Sequence, residues 1–268
     1  MPATPNVRLT PQPAPAPAPV HAARPAPRLV PDVPDPAPGP GAEADDVFAV
    51  ADGSVTRVLL TGFEPFGGET SNPSWDAVQS VAAEPPAWTE VTAVRLSCVF
   101  GTAVDELREA VAAYAPHLVL CVGQAGGRPD LTVERVALNL DDARIPDNAG
   151  HQPLDRPVVP GAPAAYFASL PVKACVAAVR AAGLPASVSQ TAGTFVCNHV
   201  FYGLAHLIAT EHPGLRGGFV HVPYAPQQVA GAAQPSMSVR DVAAGLCAVV
   251  TAAISTTADI RSVEGAIH

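Results

Sequence analysis

The sequence predicts an α/β fold, a three-layer α/β/α sandwich built on a mainly parallel central sheet. Three observations carry this expectation. From residue 55 onward, short apolar runs alternate with helix-period segments. Several of the runs stop at Gly or Pro, as buried strands do. The segments between them carry helix start and stop signals.

Taken in order, "VTRVLLTGF" (55–63) is a buried strand halted near Gly62. "NPSWDAVQSV" (72–81) opens with an Asn cap and a Pro at the first helical position, so it starts a helix. "EVTAVRLSCVF" (90–100) alternates like a strand, and 102–115 reads as a helix ended by Pro116. "HLVLCVG" (117–123) is a second buried strand, and "LTVERVALNL" (131–140) is strand-like throughout. Residues 142–168, rich in Pro, Gly and Asp, read as a long ordered loop. Helix 171–182 follows, with Gly183 as its stop. "ASVSQ" (186–190) is a short strand, Cys197 to Glu211 a helix, "GGFVHVPY" (217–224) a strand ended by Pro223, and 238–254 the last helix.

Upstream the composition is different. Residues 1–40 hold 14 of the chain's 31 prolines, many in Pro-Ala repeats. Proline removes backbone donors and alanine offers little surface to bury, so ordering entropy is not recovered by packing. Residues 1–54 are therefore expected to form a disordered extension and acidic linker, and 55–268 a single α/β domain. With 48% apolar residues over the whole chain there is material for a large core. A formal charge of −9 argues against nucleic acid or anionic membrane as partners. No apolar run approaches the ~20 residues of a membrane helix. The first residues lack the basic flank and apolar stretch of a secretory signal. Five cysteines (98, 121, 175, 197, 247) include no CxxC pair, which argues against a disulfide framework or zinc ribbon. The expected setting is the reducing cytoplasm.

The stretch "TAGTFVCNHVFYG" (191–203) sets Cys197 at the start of a helix. Helix N-termini carry partial positive charge and free amide donors. A thiol there should lose its proton more readily, and the same amides suit an oxyanion. The competing reading is a small buried apolar residue, which fits Cys98, Cys121, Cys175 and Cys247 in their apolar segments. A nucleophilic cysteine needs a base, usually histidine. Seven of the eight histidines lie at the chain ends, on or just after the Cys197 helix, in the long loop, or at the amino end of a strand. His221 lies near the carboxyl end of a strand, where open α/β sheets gather their sites, and is the preferred partner. A histidine satisfied within the core remains the alternative.

The loops "GFEPFGG" (62–68) and "GQAGG" (123–127) each follow a strand and match neither Walker A nor GxGxxG. Phe63 and Phe66 either grip a flat apolar ring or simply pack. Asp141, Asp142 and Asp147 could suggest a metal, but Arg144 sits among them and no EF-hand or HExxH spacing is present, so a hydrogen-bonded loop is favoured. GxSxG is absent, against a serine α/β-hydrolase.

Four segments, in order, resemble the pyroglutamyl peptidase type I (pyrrolidone-carboxylate peptidase) family of cysteine peptidases. They are "LLTGFEPFGGETSNPSW" (59–75), "CVGQAGGRPDLTVERVALNLDDARIPDN" (121–148), "SQTAGTFVCNHVFYGL" (189–204) and "GGFVHVPYAPQQ" (217–228). The resemblance implies a hydrolase that removes an N-terminal pyroglutamyl (5-oxoprolyl) residue from peptides through a thioester, without metal or cofactor. It carries the nucleophile onto Cys197, the base onto His221 and the third member onto Glu134. Arg144 matches a position that the family associates with the active site, although a structural ion pair would explain it equally well. The implied substrate is a small uncharged lactam with an apolar ring face. For it, Phe63 and Phe66 would line the ring, Phe195 and Val196 would close the pocket, and Gln124 and Asn72 would make polar contacts. Members of the family often form homo-oligomers, tetramers among them. Two rival readings stay open: a noncatalytic lactam-binding protein, and a phosphate-using nucleoside enzyme suggested by the Gly-rich loops.

Overall fold

The strands that read as unbroken apolar runs are central, because both of their faces are covered. In the computed structural model, which describes residues 55–265, β1 (Thr56–Phe63) and β3 (Leu118–Gln124) are buried along nearly their whole length. β8 (Arg216–Val222) is buried from Gly217 onward. The half-buried β2 (Thr89–Leu96) takes one edge of the sheet, and β7 (Ala186–Ser189) takes the other. With β4 (Leu131–Glu134), the order is β2-β1-β3-β8-β4-β7. Every neighbouring pair is parallel except β4 with β8.

Side chains alternate along each strand, so the sheet has two apolar faces. Val58, Leu60, Leu118, Leu120, Val122, Val220 and Val222 face one cluster, which α1 (Pro73–Ala83), α3 (Val172–Ala181) and α5 (Val239–Ser255) complete. Leu59, Val119, Cys121 and Phe219 face the other, completed by α2 (Thr102–Tyr114) and α4 (Val196–Thr210). This is the expected three-layer sandwich. The cap signals also act as read. Asn72 accepts from the Ser74 N–H with Pro73 in the first turn of α1, and Ser238 accepts from the Asp241 N–H at α5. Among the described residues, no helix is long and apolar enough to cross a membrane. The extension expected over residues 1–54 lies outside the described residues.

Two elements differ from expectation. The segment 131–140 is not one strand. β4 ends at Glu134, the Arg135 N–H donates to Ser189 O, and Val136–Leu138 (β5) pairs instead with Ala165–Phe167 (β6) in a separate antiparallel ribbon. The apolar alternation runs through the break, so periodicity alone does not reveal it. The loop 142–168 accordingly contains a strand, β6, whose three mostly exposed residues carry no burial pattern to read.

Candidate active site

Cys197 is the second residue of α4. Its approach is built by Gly193, at φ 79°, where a side chain would be strained. Thr194 Oγ1 donates to Asp142 O, and the Asp142 N–H donates back to Thr194 O, so the lead-in loop is held at both edges. Phe195 is the N-cap and has no side-chain acceptor to offer. The first-turn amides therefore remain uncapped by a side chain and available to a ligand oxygen. The two residues after Cys197 lock the helix start in place. Asn198 Oδ1 accepts from the Leu138 N–H, while its Nδ2 donates to Leu138 O and Leu140 O. His199 pairs through Nδ1 with Asp141 at 2.8 Å and accepts the Gly101 N–H at Nε2. His199 thus points away from the sulfur, as its helical offset predicts.

His221 is buried near the end of β8, and Glu134, fully buried, ends β4. The antiparallel register sets Thr132 opposite His221, and period two puts Glu134 on the same face. Glu134 Oε1 lies 2.7 Å from His221 Nδ1. With a carboxylate at Nδ1 the proton sits there, and Nε2 keeps its lone pair. On the other side of His221, Gly123 of β3 is its partner in register. The Cys197 sulfur occupies the space over Gly123, for a Cβ there would lie 2.8 Å from Sγ and 2.8 Å from Phe219 Cζ. One row of the sheet therefore carries the sulfur over Gly123, the imidazole on the neighbouring strand and the carboxylate against that imidazole.

Burial lowers the His221 pKa below its usual range, against an upward pull from Glu134 and with a further lowering by Arg128. Burial raises the Cys197 thiol, helped by Cys98 and Glu134 and opposed by Arg128. The helix start argues for the thiolate, and desolvation of the sulfur outweighs it. Both directions favour a neutral thiol and a neutral imidazole at rest.

The other expected site residues are distributed as follows. Phe66 packs on Phe195 at 6.1 Å between ring centroids, and Phe195 meets Phe100 edge-on at 5.3 Å. Phe63 instead packs on Phe219 in the core and is 2% exposed, so the two phenylalanines of the loop have different partners. Val196 is fully buried behind the helix start. Gln124 Oε1 accepts from Gln228 Nε2. Asn72 braces the start of α1, where its Oδ1 accepts from the Ser74 N–H and hydroxyl and its Nδ2 donates to Glu64 O. Arg144 is exposed on the loop that Thr194 fastens, and among the described residues no ion pair includes it. Asp147 is held by the N–H groups of Phe100, Ala149 and His151, so the acidic group forms a hydrogen-bonded loop.

Sequence reasoning missed Arg128. Its Nη1 lies 2.6 Å from Glu134 Oε1 and 2.5 Å from Thr132 Oγ1, and its Nη2 donates to Thr191 O at 3.0 Å. The available signal was its isolation, as no other Lys or Arg lies between Arg108 and Arg135.

A thiol, an imidazole and a carboxylate in this order, beside uncapped helix amides, can perform acyl transfer. The comparisons agree. The family model described as pyroglutamyl peptidase matches residues 56–256. A pyrrolidone-carboxylate peptidase of Streptomyces coelicolor is 65% identical over 216 residues, covering 80% of this chain and 100% of that protein. One from Cupriavidus necator is 56% identical, covering 79% and 99%. The crystal structure of pyroglutamyl peptidase I from Bacillus amyloliquefaciens superposes with a TM-score of 0.74 at 47% identity, covering 76% of this chain and 100% of that one. The pyrrolidone carboxyl peptidase from Thermococcus litoralis gives 0.75 at 35% identity, covering 78% and 99%. With Glu134, Cys197 and His221 all inside the matched span, the chain belongs to the pyroglutamyl peptidase family.

Proposed function

We propose that residues 55–268 form a cysteine exopeptidase domain that removes an N-terminal pyroglutamyl residue, with Cys197 as nucleophile, His221 as general base and Glu134 as its orienting carboxylate. The carrying observation is the buried Glu134–His221 pair at 2.7 Å with the Cys197 sulfur seated over Gly123, the register neighbour of His221. As sulfur attacks the pyroglutamyl carbonyl carbon, Nε2 of His221 takes the thiol proton. The C=O electrons move onto oxygen, which the first-turn amides of α4 receive. Collapse breaks the C–N bond, and His221 returns the proton to the departing amine. Water, deprotonated by His221, then hydrolyses the thioester and frees the thiol.

The neutral resting pair makes proton transfer part of the attack rather than a prior event. A lactam needs no charged partner for an α-ammonium. The tilted and edge-on rings of Phe66, Phe195 and Phe100 offer an apolar wall for the ring, and Gln124 and the backbone offer polar contacts. The cytoplasmic setting fits the five free cysteines. Assembly as a homo-oligomer is part of the same reading and rests on the family resemblance.

The test is fluorophore release from a pyroglutamyl amide, with the prolyl amide as control. Proline lacks the lactam carbonyl, so buried polar groups would be left unpaired, and discrimination of up to ~10⁴-fold is expected. Alkylation should abolish turnover in step with labelling of Cys197. Among the cysteines only Cys197 and Cys247 are partly exposed, so Cys247 labelling serves as the internal control. A wild type that releases no fluorophore from the pyroglutamyl amide yet binds pyroglutamate by calorimetry would replace this reading with that of a lactam-binding protein.

A second expected outcome concerns the seat of the sulfur. Gly123→Ala puts a methyl where Sγ and the Phe219 ring now lie. The sulfur is the more movable of the two, so it swings away from the imidazole. An ångström of misplacement costs on the order of 100-fold. The variant should fold, bind substrate with little change in KM, and lose about 10- to 100-fold in kcat by steady-state assay. Wild-type kcat in Gly123→Ala would show that the sulfur is not confined there.

A further inference from the structure

We infer that Arg128 is a positioning residue of this site: its guanidinium fixes the Glu134 oxygen that orients His221, and so tunes the pH at which His221 works as a base. The inference rests on the peptidase reading and assigns a role that the Glu134–His221–Cys197 set does not include.

The argument starts from charge. Glu134 is fully buried. Burying a carboxylate is costly unless a cation or strong hydrogen-bond donors stand beside it. His221 is no such cation at rest, because burial lowers its pKa and it meets the carboxylate as a neutral N–H donor. Arg128 is the cation in contact, at 2.6 Å. The titratable groups around the pair are Arg128 from the β3–β4 loop, Glu134 from β4, His221 from β8 and Cys197 from α4, with the Cys98 and Cys121 thiols behind the sulfur. Arg128, Glu134, neutral His221 and the thiol sum to zero charge. After the proton moves from sulfur to imidazole they still sum to zero. Proton transfer in this set then redistributes charge in a buried site without creating a net charge there, which would be costly.

Geometry makes the same point. Arg128 Nη1 and His221 Nδ1 meet the same oxygen, Glu134 Oε1, while Oε2 has no partner among the described residues. Arg128 therefore positions the very atom that orients the imidazole. Its Nη1 also reaches Thr132 Oγ1, in register with His221, and its Nη2 reaches Thr191 O, in the loop that leads into the Cys197 helix. A lysine could replace the charge but not this fork. The supporting loop is specific too. At Gly126 a Cβ would fall 2.2 Å from the Tyr224 ring, and Gly127 stands at φ 87°. The turn that delivers Arg128 to Glu134 is one that glycine permits.

The test compares the pH dependence of kcat/KM for wild type, Arg128→Gln and Arg128→Lys on a pyroglutamyl amide. Arg128 lowers the His221 pKa, so removing the guanidinium charge raises it and moves the acid limb upward, by about one pH unit. Arg128→Gln should therefore lose about tenfold or more in kcat/KM below neutrality and recover part of it as pH rises. Arg128→Lys should keep the limb near its wild-type position and lose rate at all pH values, because the fork is gone. A wild-type limb in Arg128→Gln overturns the inference whatever its rate, since a merely structural arginine would lower activity evenly. If Arg128→Gln fails to fold by circular dichroism, Arg128→Lys carries the test: a limb raised by about a unit, or an unchanged kcat, overturns it. An inactive wild type would instead sink the peptidase reading itself, and this inference with it, whereas failure of the Arg128 comparison alone leaves the peptidase standing.

Discussion

Cys197→Ala is expected to lower kcat on a pyroglutamyl amide by about 10⁴-fold or more while the protein stays folded. The change removes one sulfur from a half-buried position at a helix start, so its packing cost is small. Its chemical cost is total, because no other thiol can stand in. Cys98, Cys121 and Cys175 are buried, and burial pushes each thiol up to about 12. Cys247 lies on α5, which packs on the opposite face of the sheet. Whatever activity survives would come from the helix amides and substrate positioning alone. Cys197→Ser should recover little. Its hydroxyl is far less acidic than a thiol, and burial has already made His221 a weak base. Cys247→Ala should be indistinguishable from wild type. Substantial turnover in a folded Cys197→Ala protein would remove the thioester from the mechanism.

What could be read in the sequence follows the range of the physics behind it. β1 and β3 were legible because burial on both faces leaves an unbroken apolar run, and α1 and α5 because Asn72 and Ser238 cap within a few residues. Cys197 stood out for the same local reason, and His221 for its place near a strand end. Glu134 could not be separated from other acids on its own, since its role depends on the antiparallel register that sets Thr132 against His221. The resemblance supplied it. Arg128 depends on a glycine turn, on the end of β4 and on the loop that leads into α4, so its own sequence surroundings do not state its role. The protonation state of the thiol shows the limit most clearly. A helix start is a local feature and argues for the anion; burial is a tertiary one, opposes it and prevails. Phe63 and Phe66 share a loop, yet the first ends a buried strand and the second projects toward Phe195.

Glu134→Ala should cost about 10⁴-fold in kcat, in the range seen when the acid of a catalytic triad is removed. Three losses coincide. His221 Nδ1 loses its acceptor, the imidazolium loses its counter-charge, and Arg128 is left facing a cavity without its partner. Glu134→Gln separates them. Both existing bonds end on Oε1, and Oε2 has no partner among the described residues. An amide can therefore keep its oxygen toward His221 and Arg128 and place its NH₂ where Oε2 now lies. The imidazole keeps its tautomer and loses only the charge beside it. Glu134→Gln should then be much less damaged than Glu134→Ala, by about 10-fold or more. The sign of its pH shift also follows. Glu134 pulls the His221 pKa up, while burial and Arg128 pull it down. Removing the carboxylate charge leaves the two downward influences, so the acid limb of kcat/KM moves to lower pH. Loss of Arg128 moves it the opposite way. Equal damage from Gln and Ala, or an acid limb that rises in Glu134→Gln, would mean that Glu134 serves His221 through something other than its charge and the single oxygen they share.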